Sequence, residues 1–200
     1  LKDGKTLLYI AYDGKLLGTI GLSDELRHNA KKSISDLRKL GVKNIVMLTG
    51  DTKEKAQTIA NELGIDDVKA ELLPQDKAKI IKELMLQGKK VAFIGDGIND
   101  APALISAHVG ISMSRGADIA KATADISLLR DDISCVVEAK EYANKTMDLI
   151  NTNFNATVGI NSGILAGAAF GIFSPIVTAV LHNGTTIGLL LNSIKGVKLK

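Results

Sequence analysis

The sequence predicts an α/β protein built on a parallel sheet, followed by a two-helix transmembrane hairpin. Two observations lead there. Up to about residue 145, short apolar runs alternate with amphipathic segments of about ten to fifteen residues, the pattern of successive βαβ units. Beyond it, residues 151–194 contain no Lys, Arg, Asp or Glu, which is foreign to a soluble surface. Composition sets the outer limits. Two hundred residues that are 46% hydrophobic suit one domain with an appendage. A net charge of +3 with both signs mixed leaves no footprint for nucleic acid. The single Cys135 excludes an internal disulfide and suits a reducing compartment. No basic end followed by an apolar run opens the chain, and the first residue is Leu1, in mid-pattern. The expectation is a piece of something longer.

Taken in order, "TLLYIAY" and "LLGTIGL" flank an Asp-Gly turn and predict a hairpin. In "DELRHNAKKSISDLRKLG", Leu26, Ala30, Ile34 and Leu37 recur at helical spacing and Gly41 closes the helix. "NIVMLTGD" is an apolar strand. "TKEKAQTIANELG" is a helix with Ala56, Ile59, Ala60 and Leu63 inward and Gly64 at its end. "VKAELLP" is a short strand, and Pro74 opens a helix reaching about Leu86. Then come the strand "KKVAFIGDG", the short helix "NDAPALISA", the strand "VGISM", the helical "GADIAKATA", the strand "DISLLR", and a helix starting near Asp132.

In parallel α/β sheets ligands bind beyond the carboxyl ends of the strands. Three polar clusters lie at such ends: Thr49-Gly50-Asp51, Pro74-Gln75-Asp76-Lys77, and Gly95 to Asp100. They are expected to meet in one crevice. Asp96, Asn99 and Asp100 form an all-oxygen set that suits Mg²⁺, whose charge removes the repulsion between the carboxylates. The plainer alternative is an Asx-rich surface turn. Thr49, Gly50 and Asp51 offer a hydroxyl, a backbone N–H and a helix start to a phosphoryl group; N-capping by Asp51 is the competing reading. Lys77 is placed to neutralise a phosphate oxygen, or simply points into water. Together they describe Mg²⁺-assisted phosphoryl transfer.

Residues 156–173 and 176–194 are uncharged, with Ser174-Pro175 between them. At 1.5 Å per residue each reaches roughly 27–29 Å, the depth of a bilayer's hydrocarbon core. Lys140 and Lys145 precede the pair and Lys195, Lys198 and Lys200 follow it, so both ends are expected on the cytoplasmic side. Gly159, Gly163, Gly167 and Gly171 form a small-residue ridge for helix packing. Asn155, Asn161, His182, Asn183, Thr185, Thr186 and Asn192 are polar within the spans. Such groups either bond across helices or line an ion path; His182 is read as a path residue, since imidazole ligates transition metals.

"MLTGD", the Pro-Gln-Asp-Lys stretch and "GDGINDAPAL", in this order, resemble the phosphorylation domain of P-type ATPases, and "GLSDELRHNAKKSISDLRKLG" is similar to the segment with which that domain resumes after the nucleotide-binding insert. The final pair of spans, ending "LLLNSIKG", resembles the heavy-metal-transporting branch. The resemblance implies a haloacid-dehalogenase-like Rossmannoid sheet. It also implies three regions: the end of the nucleotide-binding domain with a hinge hairpin (1–22), the phosphorylation domain (23–145) and a membrane domain (146–200). By position it implies that Thr49 and Gly50 hold the phosphoryl group, Lys77 stabilises its charge, Asp96 and Asp100 bind Mg²⁺, and Asn99 contacts phosphate oxygen or orients the carboxylates. Asp51, Asp24 and Arg27 match positions near ATP and the hinge.

The family's nucleophile motif, Asp-Lys-Thr-Gly-Thr, does not occur in these 200 residues. The resemblance therefore implies a gap in the sheet where its strand would lie, and no phosphoenzyme from this chain alone. His182-Asn183-Gly184-Thr185-Thr186 is closest to the cobalt-type signature, with Asn183 where that group has glutamate. A divalent transition metal is the expected cargo; Thr185, Thr186 and Asn155 join His182 on the expected path. Expected partners are membrane lipid and the rest of a pump, with its nucleophile strand, actuator domain and other helices, in the plasma membrane with the soluble part cytoplasmic. Alternatives are a free-standing haloacid-dehalogenase-type phosphatase and a non-catalytic subunit that docks on an intact pump.

Overall fold

The computed structural model describes residues 6–22, 26–96, 98–114, 118–194 and 196. The chain forms two compact units, Leu1–Val137 and Glu138–Lys200.

In the first unit, β1 (Thr6–Tyr12) and β2 (Lys15–Leu22) form the antiparallel hairpin. Asp13 and Gly14 at its tip both take positive φ, 48° and 71°, as the turn that matches strand twist demands. The next helix, α1 (Ala30–Lys39), begins later than its periodicity suggests, so Leu26 and Arg27 precede it. It buries Leu37 and Ser33. β3 (Val46–Leu48) and β4 (Asp67–Lys69) pair in parallel around α2 (Lys53–Leu63), which buries Ala56 and Ala60 and stops at left-handed Gly64. α3 (Pro74–Leu86) starts and ends as the sequence indicates. Pro74 occupies its first turn, and the Asp76 carboxylate accepts the Leu73 N–H at 3.0 Å. Asp76 is thus used in capping.

A second parallel sheet contains β5 (Ala92–Gly95), β6 (Val109–Ser112) and β7 (Ile126–Ser127). Between β5 and β6 run a 3₁₀ turn (Ile98–Asp100) and α4 (Ala101–Ser106); α5 (Asp118–Thr123) precedes β7. Leu37 of α1, Ile111, Met113 and Leu128, and Cys135 and Val136 at the start of α6 (Ser134–Ala169) form one core cluster. Ile81 of α3 and Ala103 and Leu104 of α4 are buried as well. Among the described residues β3 and β5 do not pair, so the parallel strands form two separate sheets rather than one.

The second unit is a helical hairpin of α6 and α7 (Pro175–Ile194). Its helices differ from the expected spans. The helix expected to start near Asp132 begins at Ser134 and runs on without a break through most of the first expected span, because the Asn-rich stretch 151–155 lacks any Pro or Gly to break it. Gly171, with φ of 71°, lies beyond the last helical residue and ends α6 rather than extending the ridge. Gly167 lies against the Phe173 ring, while Gly159 and Gly163 face open space. Among the described residues no helix is long and apolar enough to cross a membrane. The expected two-helix transmembrane hairpin is therefore not confirmed, and the reason is compositional: Asn151, Asn153, Asn155 and Asn161 dilute α6, and His182, Asn183, Thr185, Thr186 and Asn192 dilute α7. Lys195, Lys198 and Lys200 lie outside the described residues.

Candidate functional site

The ends of β3 and β4 are laced together by backbone bonds. Thr49 N–H donates to Lys69 O at 3.0 Å, Glu71 N–H to Asp51 O at 2.9 Å, and Leu72 N–H to Thr49 O at 3.0 Å. Glu71 takes φ of 57° to make this turn, a conformation that side chains tolerate only when surrounding bonds impose it. The lacing delivers Pro74, and hence the first turn of α3, beside the end of β3. Lys77, one turn further, reaches Asp100 at 2.7 Å.

Asp100 ends the 3₁₀ turn that follows β5 and is 8% exposed. Its Oδ1 accepts from Lys77 Nζ at 2.7 Å and its Oδ2 from the Asp96 N–H at 3.3 Å. A carboxylate so far from water requires such partners, because an unpaired buried charge is expensive. Gly95 makes room for it: a Cβ there would lie 2.7 Å from Asp100 Cβ. The Asp96 side chain is exposed, as is Asn99 within the turn. A cleft of about 310 Å³ is lined by Arg27, Lys77, Asp96 and Asp100 with Gly95 and the apolar Leu48, Phe93, Ile94, Met113 and Ile133. Leu48 of β3 and Phe93 and Ile94 of β5 thus share one cleft, although the two strands are not hydrogen-bonded to each other.

Thr49 and Asp51 bond to each other. The Asp51 N–H donates to Thr49 Oγ1, and that hydroxyl donates to Asp51 Oδ2, both at 3.1 Å. The Asp51 N–H is thus occupied, and one detail of the sequence reading changes: the N-cap position of α2 is Thr52, without a side-chain capping bond, not Asp51. Arg27 holds Asp131 at 2.6 Å. Asp24 lies outside the described residues.

Among the described residues no group of three or more His, Cys, Asp or Glu side chains is assembled for a metal. Mg²⁺ does not need one, since it keeps several waters and takes one or two carboxylates with phosphate oxygens. The exposed Asp96 carboxylate and Asp100, which line the same cleft, fit that donor set.

In the hairpin unit, His182 Nδ1 lies 3.0 Å from Asn161 Oδ1. An amide oxygen only accepts, so in this contact the ring nitrogen is the donor. Thr185 and Thr186 hydroxyls donate to Leu181 O and His182 O of their own helix, at 2.8 and 3.1 Å. Asn155 is exposed. The sequence reading missed Asn153, whose amide donates to Ser193 at 2.8 Å and accepts from Asn192 at 2.8 Å. It also missed Asp131 and Asp132. The Asp132 carboxyl is held below the usual range, first by the Ser134 N–H and then by the Ser134 hydroxyl. Such pairings are invisible to periodicity.

A parallel α/β fold with acidic and lysine side chains at strand ends defines a class, and the family comparison agrees with it. Residues 2–108 match the haloacid dehalogenase-like hydrolase family, to which this chain belongs. Over its whole length the chain is 39% identical to the zinc-exporting P-type ATPase of Mycobacterium marinum and 40% identical to the manganese-exporting P-type ATPase of Mycobacterium tuberculosis. It spans 27% and 28% of those proteins, about a quarter of their length. Its fold matches the crystal structure of a zinc-transporting PIB-type ATPase in the E2.Pi state with a TM-score of 0.84 at 36% identity, covering 96% of this chain and 31% of that one.

Proposed function

We propose that this chain is the phosphoryl-handling part, with a following helical hairpin, of an ATP-driven P-type pump that moves a divalent transition-metal cation across a membrane. The observation that carries the reading is the Lys77–Asp100 pair, 2.7 Å apart, in a cleft that also holds Asp96. The similarity to zinc- and manganese-exporting ATPases supports it.

Asp96 and Asp100 hold Mg²⁺, which when bound neutralises charge on the transferring phosphoryl group. Lys77 holds Asp100 through one N–H and presents its remaining N–H donors to phosphate oxygens. Gly50 and the Thr49 hydroxyl contact the same group, Asp51 fixes that hydroxyl, and Asn99 contributes an amide from the acidic turn. Arg27 and Asp24 serve the ATP side. The carboxylate that accepts the phosphoryl group comes from the rest of the pump.

The hairpin acts within a larger bundle. Leu165, Phe170, Ile176, Val180 and Ile194 are each 65–83% exposed, so α6 and α7 gain apolar burial from neighbouring helices and lipid. Polar side chains that lower a helix's hydropathy are tolerated in a membrane when they face a bundle interior. His182 then lines the cation path beside Thr185, Thr186 and Asn155. The soluble unit lies on the cytoplasmic side.

The test is phosphorylation of the full-length protein by ATP. Asp96→Asn lowers Mg²⁺-dependent phosphoenzyme by about a hundredfold or more, the scale of losing one transition-state charge stabiliser. Wild-type phosphoenzyme in that variant would falsify the Mg²⁺ assignment.

A further inference from the structure

Arg27 stands just before α1 and Asp131 just before α6, 104 positions apart in sequence. The Arg27 guanidinium nevertheless donates through Nη1 twice to that one residue, to Asp131 Oδ1 at 2.6 Å and to Asp131 O at 3.0 Å. The neighbouring pair repeats the connection: Asn29 Nδ2 donates to Asp132 Oδ2 at 3.3 Å, and Asp132 in turn accepts the Ser134 N–H at 2.8 Å. The loop bearing Asp131 is therefore itself fixed at the start of α6.

Two facts make this more than a clip. The Asp131 side chain is 19% exposed, whereas Arg27 is 46% exposed. The acid is the more enclosed partner and the base is the more exposed one. Arg27 also lines the cleft that holds Lys77, Asp96 and Asp100. A guanidinium carries five N–H donors in a planar fork. Among the described residues only Nη1 is committed, which leaves Nε and Nη2 for a second acceptor.

We infer that Asp131 is a positioning residue: it anchors one edge of the Arg27 guanidinium so that the other edge meets a phosphoryl oxygen in the cleft. The ligand class is a phosphoryl anion, and the inference rests on the reading of the cleft as a phosphoryl site. Lys77 is already engaged by Asp100, so Arg27 supplies the second positive charge that such an anion requires. An arginine on a flexible stem loses rotamer freedom on binding; one already docked on Asp131 has lost it beforehand.

The experiment titrates inorganic phosphate, with Mg²⁺, into the full chain by ³¹P NMR, for wild type, Arg27→Gln, Asp131→Ala and the double variant, with Lys77→Met as reference. Urea unfolding is followed alongside. Arg27→Gln weakens phosphate about tenfold, the scale of one charge-assisted hydrogen bond. Asp131→Ala weakens it roughly three- to fivefold in the wild-type background and has no effect once Arg27 is Gln, as one residue acting through another requires. If Asp131→Ala fails to fold, Arg27→Lys replaces it: the charge stays, the fork is lost, and phosphate still weakens. Wild-type affinity in Asp131→Ala or Arg27→Lys, while Lys77→Met loses phosphate, overturns the inference and leaves the site reading standing. Equal losses from Asp131→Ala with and without Arg27 also overturn it, since the acid then acts elsewhere. No phosphate binding by the wild-type chain overturns both.

Discussion

Replacing Gly95 by Ala tests the acidic turn at its tightest point. The added Cβ would stand 2.7 Å from Asp100 Cβ, 2.9 Å from its Oδ2 and 3.0 Å from its Cγ. Carbon atoms in comfortable contact keep about 3.5–4.0 Å, so Asp100 must retreat by roughly 0.8 Å or more. The obstructing atom is Cβ, one bond from the backbone, and a rotamer change cannot move it. The 3₁₀ turn Ile98–Asp100 shifts instead, and it carries Oδ1 away from Lys77 Nζ. Overpacking of this kind costs about 1–3 kcal/mol. The assay is urea unfolding of the variant together with its Mg²⁺-dependent affinity for phosphate; both fall. A Gly95→Ala protein with the unfolding midpoint and phosphate affinity of the wild type would refute the packing argument.

Three further outcomes are expected. Lys77→Met leaves Asp100 nearly buried without its cation, which costs about 3 kcal/mol, at the lower end for a broken pair because the two side chains keep 17% and 11% exposure. The double variant Lys77→Met/Asp100→Asn unfolds at a higher urea concentration than Lys77→Met alone, and equal midpoints would show the pair to be uncoupled. The Asp66 carboxyl is held below its usual range by the Ile45 N–H, then by Arg38, so its contribution is present above the unfolded carboxyl pKa of about 3.9 and fades as pH falls through the lower folded value. Stability measured downward from pH 5 therefore declines less steeply in Asp66→Asn than in wild type, and parallel curves would contradict this. Asn153→Leu removes two hydrogen bonds within the hairpin, at about 1 kcal/mol each; unchanged unfolding of that unit would assign them no weight.

The punctuation of the fold was readable from residues whose chemistry is local. Gly64 and Pro74 end and start helices because one accepts a left-handed backbone and the other has no N–H to lose. The three polar clusters stood out because polar groups at the ends of apolar strands need a reason. Less readable was anything set by distant partners. α1 starts at Ala30 rather than earlier, and the side chains of Arg27 and Asn29 just before it bond Asp131 and Asp132, over a hundred positions away. Ser33, a polar residue, is buried where periodicity favoured Leu26 and Ala30. The continuity of α6 through residues 151–155 was hidden by four polar residues among five, although asparagine and threonine merely weaken a helix that tertiary contacts can hold. Asn153 looked like one more of them and turned out to bridge two residues of α7.

The most direct measurement replaces Mg²⁺ with paramagnetic Mn²⁺ and reads amide broadening across the full chain by NMR, with and without inorganic phosphate. The account predicts early loss of the Asp96, Asn99 and Asp100 signals, deepening and extending to Lys77 when phosphate is added. Broadening centred on another acidic patch, such as Glu54 and Glu71, with those four signals intact, would contradict it.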